Sequence, residues 1–151
     1  MTCRRRCLLT MAAVCAAAMF GCSTAGRSYM VEIGGSVWDR PVTVEIPNAD
    51  TAGLYDLRIA MRHDGSGEGR TVGVMVRTVA PDSTWVEERV TLTVGDDGRS
   101  RSAQHEAECI YRRRVTLRRE GEYRMTLTPV RAVRGVTAVG VELTPGRNDE
   151  K

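Results

Sequence analysis

The sequence predicts an all-β fold, an antiparallel β-sandwich of about seven or eight strands. From Tyr29 onward, apolar residues alternate with polar ones in short runs, whereas helical spacing does not recur. Clusters of glycine, proline, asparagine and aspartate separate these runs at the spacing typical of a sandwich or barrel. No internal repeat is visible at a fixed period, so one domain is expected.

The strand pattern is clearest at Pro41–Ile46, where Val42, Val44 and Ile46 are expected to face inward. Pro47 to Asp50 then predicts a turn. Residues 72–77 are apolar at nearly every position, which favours a strand buried on both faces or nearly so. The pattern recurs in further segments: 54–62, 90–94, 115–117, 123–127 and 139–143.

The N-terminus reads as an export signal peptide over residues 1–21. Arg4–Arg6 form a positive region, and Cys7–Phe20 form an apolar run. A helix of that run spans about 21 Å, which is short of the ~30 Å hydrocarbon core of a bilayer. A permanent transmembrane helix is therefore the weaker interpretation.

Met19-Phe20-Gly21-Cys22 looks like a bacterial lipobox, with Met19 where leucine is usual. Acylation of Cys22 would hold the protein on a membrane, since each buried methylene contributes about 0.8 kcal/mol. An ordinary secretory signal with an incidental cysteine is the alternative. No aspartate follows Cys22, so we expect the outer membrane, with the protein facing the periplasm. Residues 22–28 then form a polar tether, 29–144 the sandwich and 145–151 a disordered tail.

The remaining cysteines predict no internal disulfide. Three of the five cysteines lie in the signal peptide, and Cys22 is expected to be acylated. Cys109 is left alone, and a buried, small apolar role fits it best.

The charge balance of the mature chain bears on whether a polyanionic partner is expected. The chain has 22 basic and 19 acidic residues, and three of the arginines lie in the signal peptide. The mature chain is therefore balanced, 19 against 19. This near-neutral balance gives no reason to expect a nucleic acid or an anionic membrane surface as partner.

Candidate catalytic or metal-binding groups are sparse. His105 and Cys109 would share a face of an extended strand, but a structural zinc site needs four ligands. Cys109 has no local nucleophile signature, and His63-Asp64 has no serine in a nucleophile-elbow motif. We therefore expect no enzyme, no metal and no cofactor.

A possible partner or ligand surface comprises Trp38, Trp85, Arg112 and Arg114. The run from Arg112 to Arg114 could protect an edge strand by charge, or could bind an acidic partner. Strict alternation would split these arginines across both faces of a strand. The two tryptophans, with Tyr111, could be exposed aromatic residues that bind sugar rings, or they could be buried in the hydrophobic core.

Three segments carry a family resemblance. They are residues 37–42 (VWDRPV), residues 55–63 (YDLRIAMRH) and the C-terminal stretches 120–123, 130–131 and 135–141. In this order they resemble the gliding-motility lipoprotein family of Bacteroidetes, the GldH type. Residues 65–73 and 96–106 depart from the family's pattern. The resemblance implies an envelope component associated with surface motility.

The favoured function is therefore a non-catalytic accessory lipoprotein that binds another protein of the cell envelope. The alternative is a periplasmic β-sandwich module that binds a glycan or another small ligand. A structure in which both tryptophans are buried would exclude this alternative.

Overall fold

All the regular structure is β in the computed structural model, which describes residues 26–65, 70–94 and 105–146. The described residues contain ten strands in chain order: β1 (Arg27–Glu32), β2 (Val37–Trp38), β3 (Val42–Asn48), β4 (Tyr55–His63), β5 (Thr71–Val79), β6 (Trp85–Thr93), β7 (His105–Val115), β8 (Gly121–Pro129), β9 (Val133–Arg134) and β10 (Val136–Pro145). Within these ranges, no helix has the length and apolar character needed to cross a membrane.

Eight of the strands form two four-stranded antiparallel sheets that pack face to face. Sheet I has the order β1-β10-β4-β7, and sheet II has the order β3-β8-β5-β6. The edge strands meet across the layers, β1 beside β3 and β7 beside β6. The short strands β2 and β9 pair with each other. The predicted antiparallel β-sandwich of seven or eight strands is confirmed.

The core lies between the two sheets and is built from the alternating inward positions. Val42, Val44 and Ile46 are buried as predicted, while the residues between them are exposed. Full burial of an aliphatic side chain of this kind contributes about 1.5–3 kcal/mol. The largest fully buried side chains come from both sheets and from β2: Trp38, Ile46, Ile59, Met61, Leu92, Met125, Leu127 and Leu143.

The sandwich has two distinct ends. At the tether end, Arg27 begins β1 opposite Leu143, and its guanidinium donates a hydrogen bond to the Pro47 carbonyl at 3.3 Å. Trp85, the first residue of β6, lies at this same end. At the far end, His63 ends β4 and is paired with His105, the first residue of β7.

Two predicted boundaries are wrong. β1 begins at Arg27, inside the predicted tether, because its backbone pairs with β10. β3 continues through Pro47 and Asn48, where a turn was predicted. Proline is tolerated there because β3 is an edge strand. The buried Asn48 amide donates hydrogen bonds to two carbonyls of the β7–β8 connection, at 2.8 and 2.9 Å.

Two other strands also differ from expectation. β7 occupies His105–Val115 rather than 115–117, because its long partner β4 pairs with it along nearly its whole length. In β5, Val72, Val74 and Val76 are buried, but Arg77 is exposed and Gly73 is half-buried. Only one face of sheet II packs against the other sheet, so β5 is not buried on both faces. The predicted signal peptide, Cys22 and most of the predicted tail lie outside the described residues.

Candidate interaction surface

Trp38 is in the core, so its predicted place on a partner or ligand surface is wrong. The side chain is only 1% exposed, and the indole N–H donates to the Arg40 carbonyl at 2.9 Å. The β2–β9 pair positions it at the margin of the core. A buried tryptophan with a satisfied N–H is a structural residue.

Trp85 has the opposite environment. Its side chain is 61% exposed, the highest value among the exposed large apolar residues of the described ranges. Val79, its partner across the β5–β6 pair, sits at the end of β5. The Arg77 guanidinium lies over the indole ring, 4.6 Å from the ring centroid. A cation at this distance from an indole is attracted to its face and helps to hold it in one orientation.

Arg112 links the two sheets at the open edge of the sandwich. Its guanidinium lies 4.6 Å from the centroid of the Tyr111 ring and forms an ion pair with Glu88 of β6. Tyr111 itself is buried, and burial raises the pKa of its hydroxyl. The half-exposed Arg112 side chain therefore covers the ring where β7 passes over β6.

Arg114 occupies an irregular point of β7. The pairing with β4 shifts register twice between Tyr55 and Arg58, and Arg114 has a φ of 52°. Its backbone N–H donates to the Asp56 carboxylate at 2.8 Å. All three arginines from Arg112 to Arg114 are exposed. The register shifts mark a bulge, which interrupts the strict alternation on which the predicted split across both faces depends.

We call the surface around the start of the edge strand β6 the Trp85 face. Arg77 and Trp85 lie on the outer face of sheet II, whereas Val86, Glu88 and Arg112 lie on the side where β6 meets β7. Val86 follows Trp85 along the edge strand and is 46% exposed. Sequence reasoning found Trp85 and Arg112 but missed the other three. Side-chain alternation along β5 and β6 would have predicted Arg77, since it lies on the same outer face of the β5–β6 hairpin as Trp85. The ion pair between Glu88 and Arg112 joins the two sheets, and no sequence pattern predicts which residues meet across the sheets.

The structure brings together two histidines that the sequence keeps apart. The imidazole rings of His63 and His105 stack with a centroid separation of 5.5 Å. The Gly65 N–H donates to His63 Nδ1 at 3.1 Å, so the proton of the neutral His63 ring lies on Nε2. Cys109 lies farther along β7, and burial raises the pKa of its thiol. A protonated thiol is a poor nucleophile and a poor zinc ligand.

Three carboxylates on the outer face of sheet I could supply oxygen ligands to a hard cation. One oxygen from each of Glu106, Glu108 and Glu142 lies within 4.8 Å of the others. However, the Arg58 guanidinium donates to Glu108 at 3.0 Å and is the cross-strand neighbour of Glu142. This cation already balances part of the negative charge, which is typical of a surface ion-pair network.

Comparison with known proteins identifies no family for this chain. No protein-family model matches it, and no curated protein matches it. The resemblance to gliding-motility lipoproteins therefore stays a prediction.

Proposed function

We propose that this protein is a non-catalytic lipoprotein of the cell envelope that binds another envelope protein through the Trp85 face. Acylated Cys22 would anchor it in the outer membrane, facing the periplasm. The observation that carries the binding role is the 61% exposure of Trp85 beside Arg77. Tryptophan and arginine, with tyrosine, are enriched among the residues that dominate binding energy at protein interfaces.

The location of the surface favours a partner near the membrane. Trp85 lies at the same end of the sandwich as Arg27, where the polypeptide enters β1. The backbone from Cys22 to Gly26 can reach at most about 14 Å. A partner on the Trp85 face would therefore stand close to the anchoring bilayer, as a membrane-embedded or lipid-anchored protein does.

Side-chain docking is favoured over the addition of a strand from the partner. β6 and β7 are edge strands with unpaired backbone groups. Both carry exposed charges along that edge, including Glu87, Arg89 and Arg113. Charged edge residues oppose strand pairing. The binding contribution would then come from the indole of Trp85 and the guanidinium groups near it.

A glycan site built on Trp85 has weaker support. The burial of Trp38 leaves Trp85 as the exposed indole among the described residues. Ligand sites for small molecules are typically concave, whereas Trp85 stands on the outer face of an edge strand. A role in surface motility depends on the family resemblance alone.

Site-specific photo-crosslinking in intact cells tests the proposal. A photoreactive amino acid in place of Glu87, within the exposed strand beside Trp85, should give one discrete adduct with an envelope protein. The same group at Thr43, which is exposed on the opposite edge strand of sheet II, should not give it. Trp85→Ala should abolish the Glu87 adduct.

Two results would contradict the proposal. One is the absence of any Glu87 adduct when the protein is present at its natural level. The other is an adduct that forms equally from Thr43 or survives Trp85→Ala. The fold of each variant is checked by its circular dichroism spectrum, since an unfolded variant loses adducts for an unrelated reason.

A further inference from the structure

A groove of about 810 Å³ lies toward the far end of sheet II. It is formed by the start of β5, the end of β6 and the chain between β8 and β9. We call it the arginine groove. Its lining includes four arginines (Arg70, Arg89, Arg131 and Arg134), two threonines (Thr71 and Thr91) and short apolar side chains around Gly73.

The groove concentrates positive charge. Among the described residues that line it, none is acidic and none of the four arginines forms an ion pair. The mature chain as a whole has equal numbers of basic and acidic residues. An overall excess of basic residues therefore does not explain why four arginines line this groove. Several guanidinium groups in one concave site attract an anion more strongly than the same groups spread over a surface.

Gly73 shapes the floor of the groove. A β-carbon there would lie 3.1 Å from Nη2 of Arg89 and 3.2 Å from Cγ2 of Val130. The Val130 N–H donates to the Gly73 carbonyl at 2.8 Å, which holds the β8–β9 connection against β5. The missing side chain thus lets the Arg89 guanidinium lie against the sheet, beside the arginines of that connection.

From this geometry we propose that the arginine groove binds a soluble, sugar-sized molecule that carries at least two phosphate or carboxylate groups. Guanidinium groups bind these oxyanions through paired N–H donors. The threonine hydroxyls can donate further hydrogen bonds. The described lining residues include no aromatic side chain on which a base could stack.

The position of the groove favours a soluble ligand over a lipid headgroup. Thr71 and Thr93 pair at the far end of the β5–β6 hairpin, whereas Arg27 and Trp85 lie at the tether end. A strand of the length of β10 spans about 30 Å. The Thr71 end of the groove therefore lies about one strand length from the point where the chain from Cys22 enters β1.

Isothermal titration of the full chain in detergent tests the inference. The probes are inositol hexakisphosphate for phosphate, citrate for carboxylate and dihexanoyl phosphatidylglycerol for a lipid headgroup. We expect saturable one-to-one binding of inositol hexakisphosphate or citrate that weakens as salt increases. Arg89→Gln and Arg131→Gln should each weaken binding about tenfold. Arg40→Gln, which removes an exposed arginine outside the groove, should leave it unchanged.

A variant that keeps the net charge adds an independent check. Gly73→Ala should weaken binding several-fold, because the new methyl group displaces the Arg89 guanidinium. An equal loss in Arg40→Gln would overturn the proposal, because it would indicate non-specific attraction. Phosphatidylglycerol binding tighter than that of both soluble probes would also overturn it. So would the absence of saturable binding of any probe at about 1 mM.

Discussion

Gly140 of β10 lies so close to Tyr29 of β1 that a β-carbon at Gly140 would overlap the Tyr29 carbonyl oxygen. The Cα of Met30 would lie only 2.7 Å from the same carbon. These neighbours are backbone atoms of the paired strand. They cannot move aside as a flexible side chain can.

Gly140→Ala should therefore lower the free energy of unfolding by about 3 kcal/mol, because β1 must move away from β10. Urea denaturation of the two proteins measures the difference. Gly34→Ala is the matched control, since no atom lies within 4 Å of the new carbon. A cost of less than about 0.5 kcal/mol for Gly140→Ala would mean that β1 is not held against β10 as described.

The two tryptophans should respond oppositely to truncation. Trp38→Ala leaves a large cavity and should cost about 4 kcal/mol of unfolding free energy. Trp85→Ala removes an exposed indole and its contact with Arg77, so the cost should stay below about 1 kcal/mol. Chemical denaturation gives both values. Similar costs at the two positions would contradict the assigned environments.

Stability should fall in acid, partly through Asp82. The Thr84 side-chain hydroxyl donates to its carboxylate at 2.6 Å, the Thr84 N–H at 3.1 Å and Arg119 at 2.9 Å. These contacts hold the pKa of Asp82 below its usual value of 3.8. The Ala52 and Gly53 N–H groups likewise lower the pKa of Asp50.

Because these carboxyl groups have a lower pKa in the folded chain, the unfolded chain binds more protons as the pH falls. Their stabilising contribution is present above about pH 3.8 and is lost as the pH falls through the lower, folded value. Asp82→Asn should therefore be less stable than the wild type at neutral pH, and the gap should narrow in acid. Urea midpoints measured between about pH 2 and pH 6 test this. A gap that stays constant over this range would show that proton binding by Asp82 does not contribute.

The proposed anchor depends on the Cys22 thiol. Cys22→Ser should abolish acylation, and the protein should then either remain uncleaved or appear soluble in the periplasm. Cys15→Ser should change neither the acylation nor the fractionation of the protein. Membrane fractionation and mass spectrometry of the N-terminal peptide provide the readout. An unmodified Cys22 within an intact N-terminus would refute the lipoprotein proposal.

The sequence by itself determined the fold class and the inward face of β3. Side-chain alternation is a local property of an extended chain, so Val42, Val44 and Ile46 could be assigned to the core before any partner strand was known. The same alternation could have predicted that Arg77 lies beside Trp85. The start of β1 was not, because its pairing depends on β10, more than 100 residues away along the chain.

Only the tertiary structure decided which functional side chains lie next to each other. Trp38 is buried and Trp85 is exposed, because the exposure of a side chain depends on the residues that cover it and not on its residue type. The tertiary structure stacked His63 on His105, which are 42 positions apart. It also gathered the arginine groove from three separate segments. Alternation along a strand is set by neighbouring residues, whereas the strand order and the meeting of sheet edges are set by the packing of the whole chain.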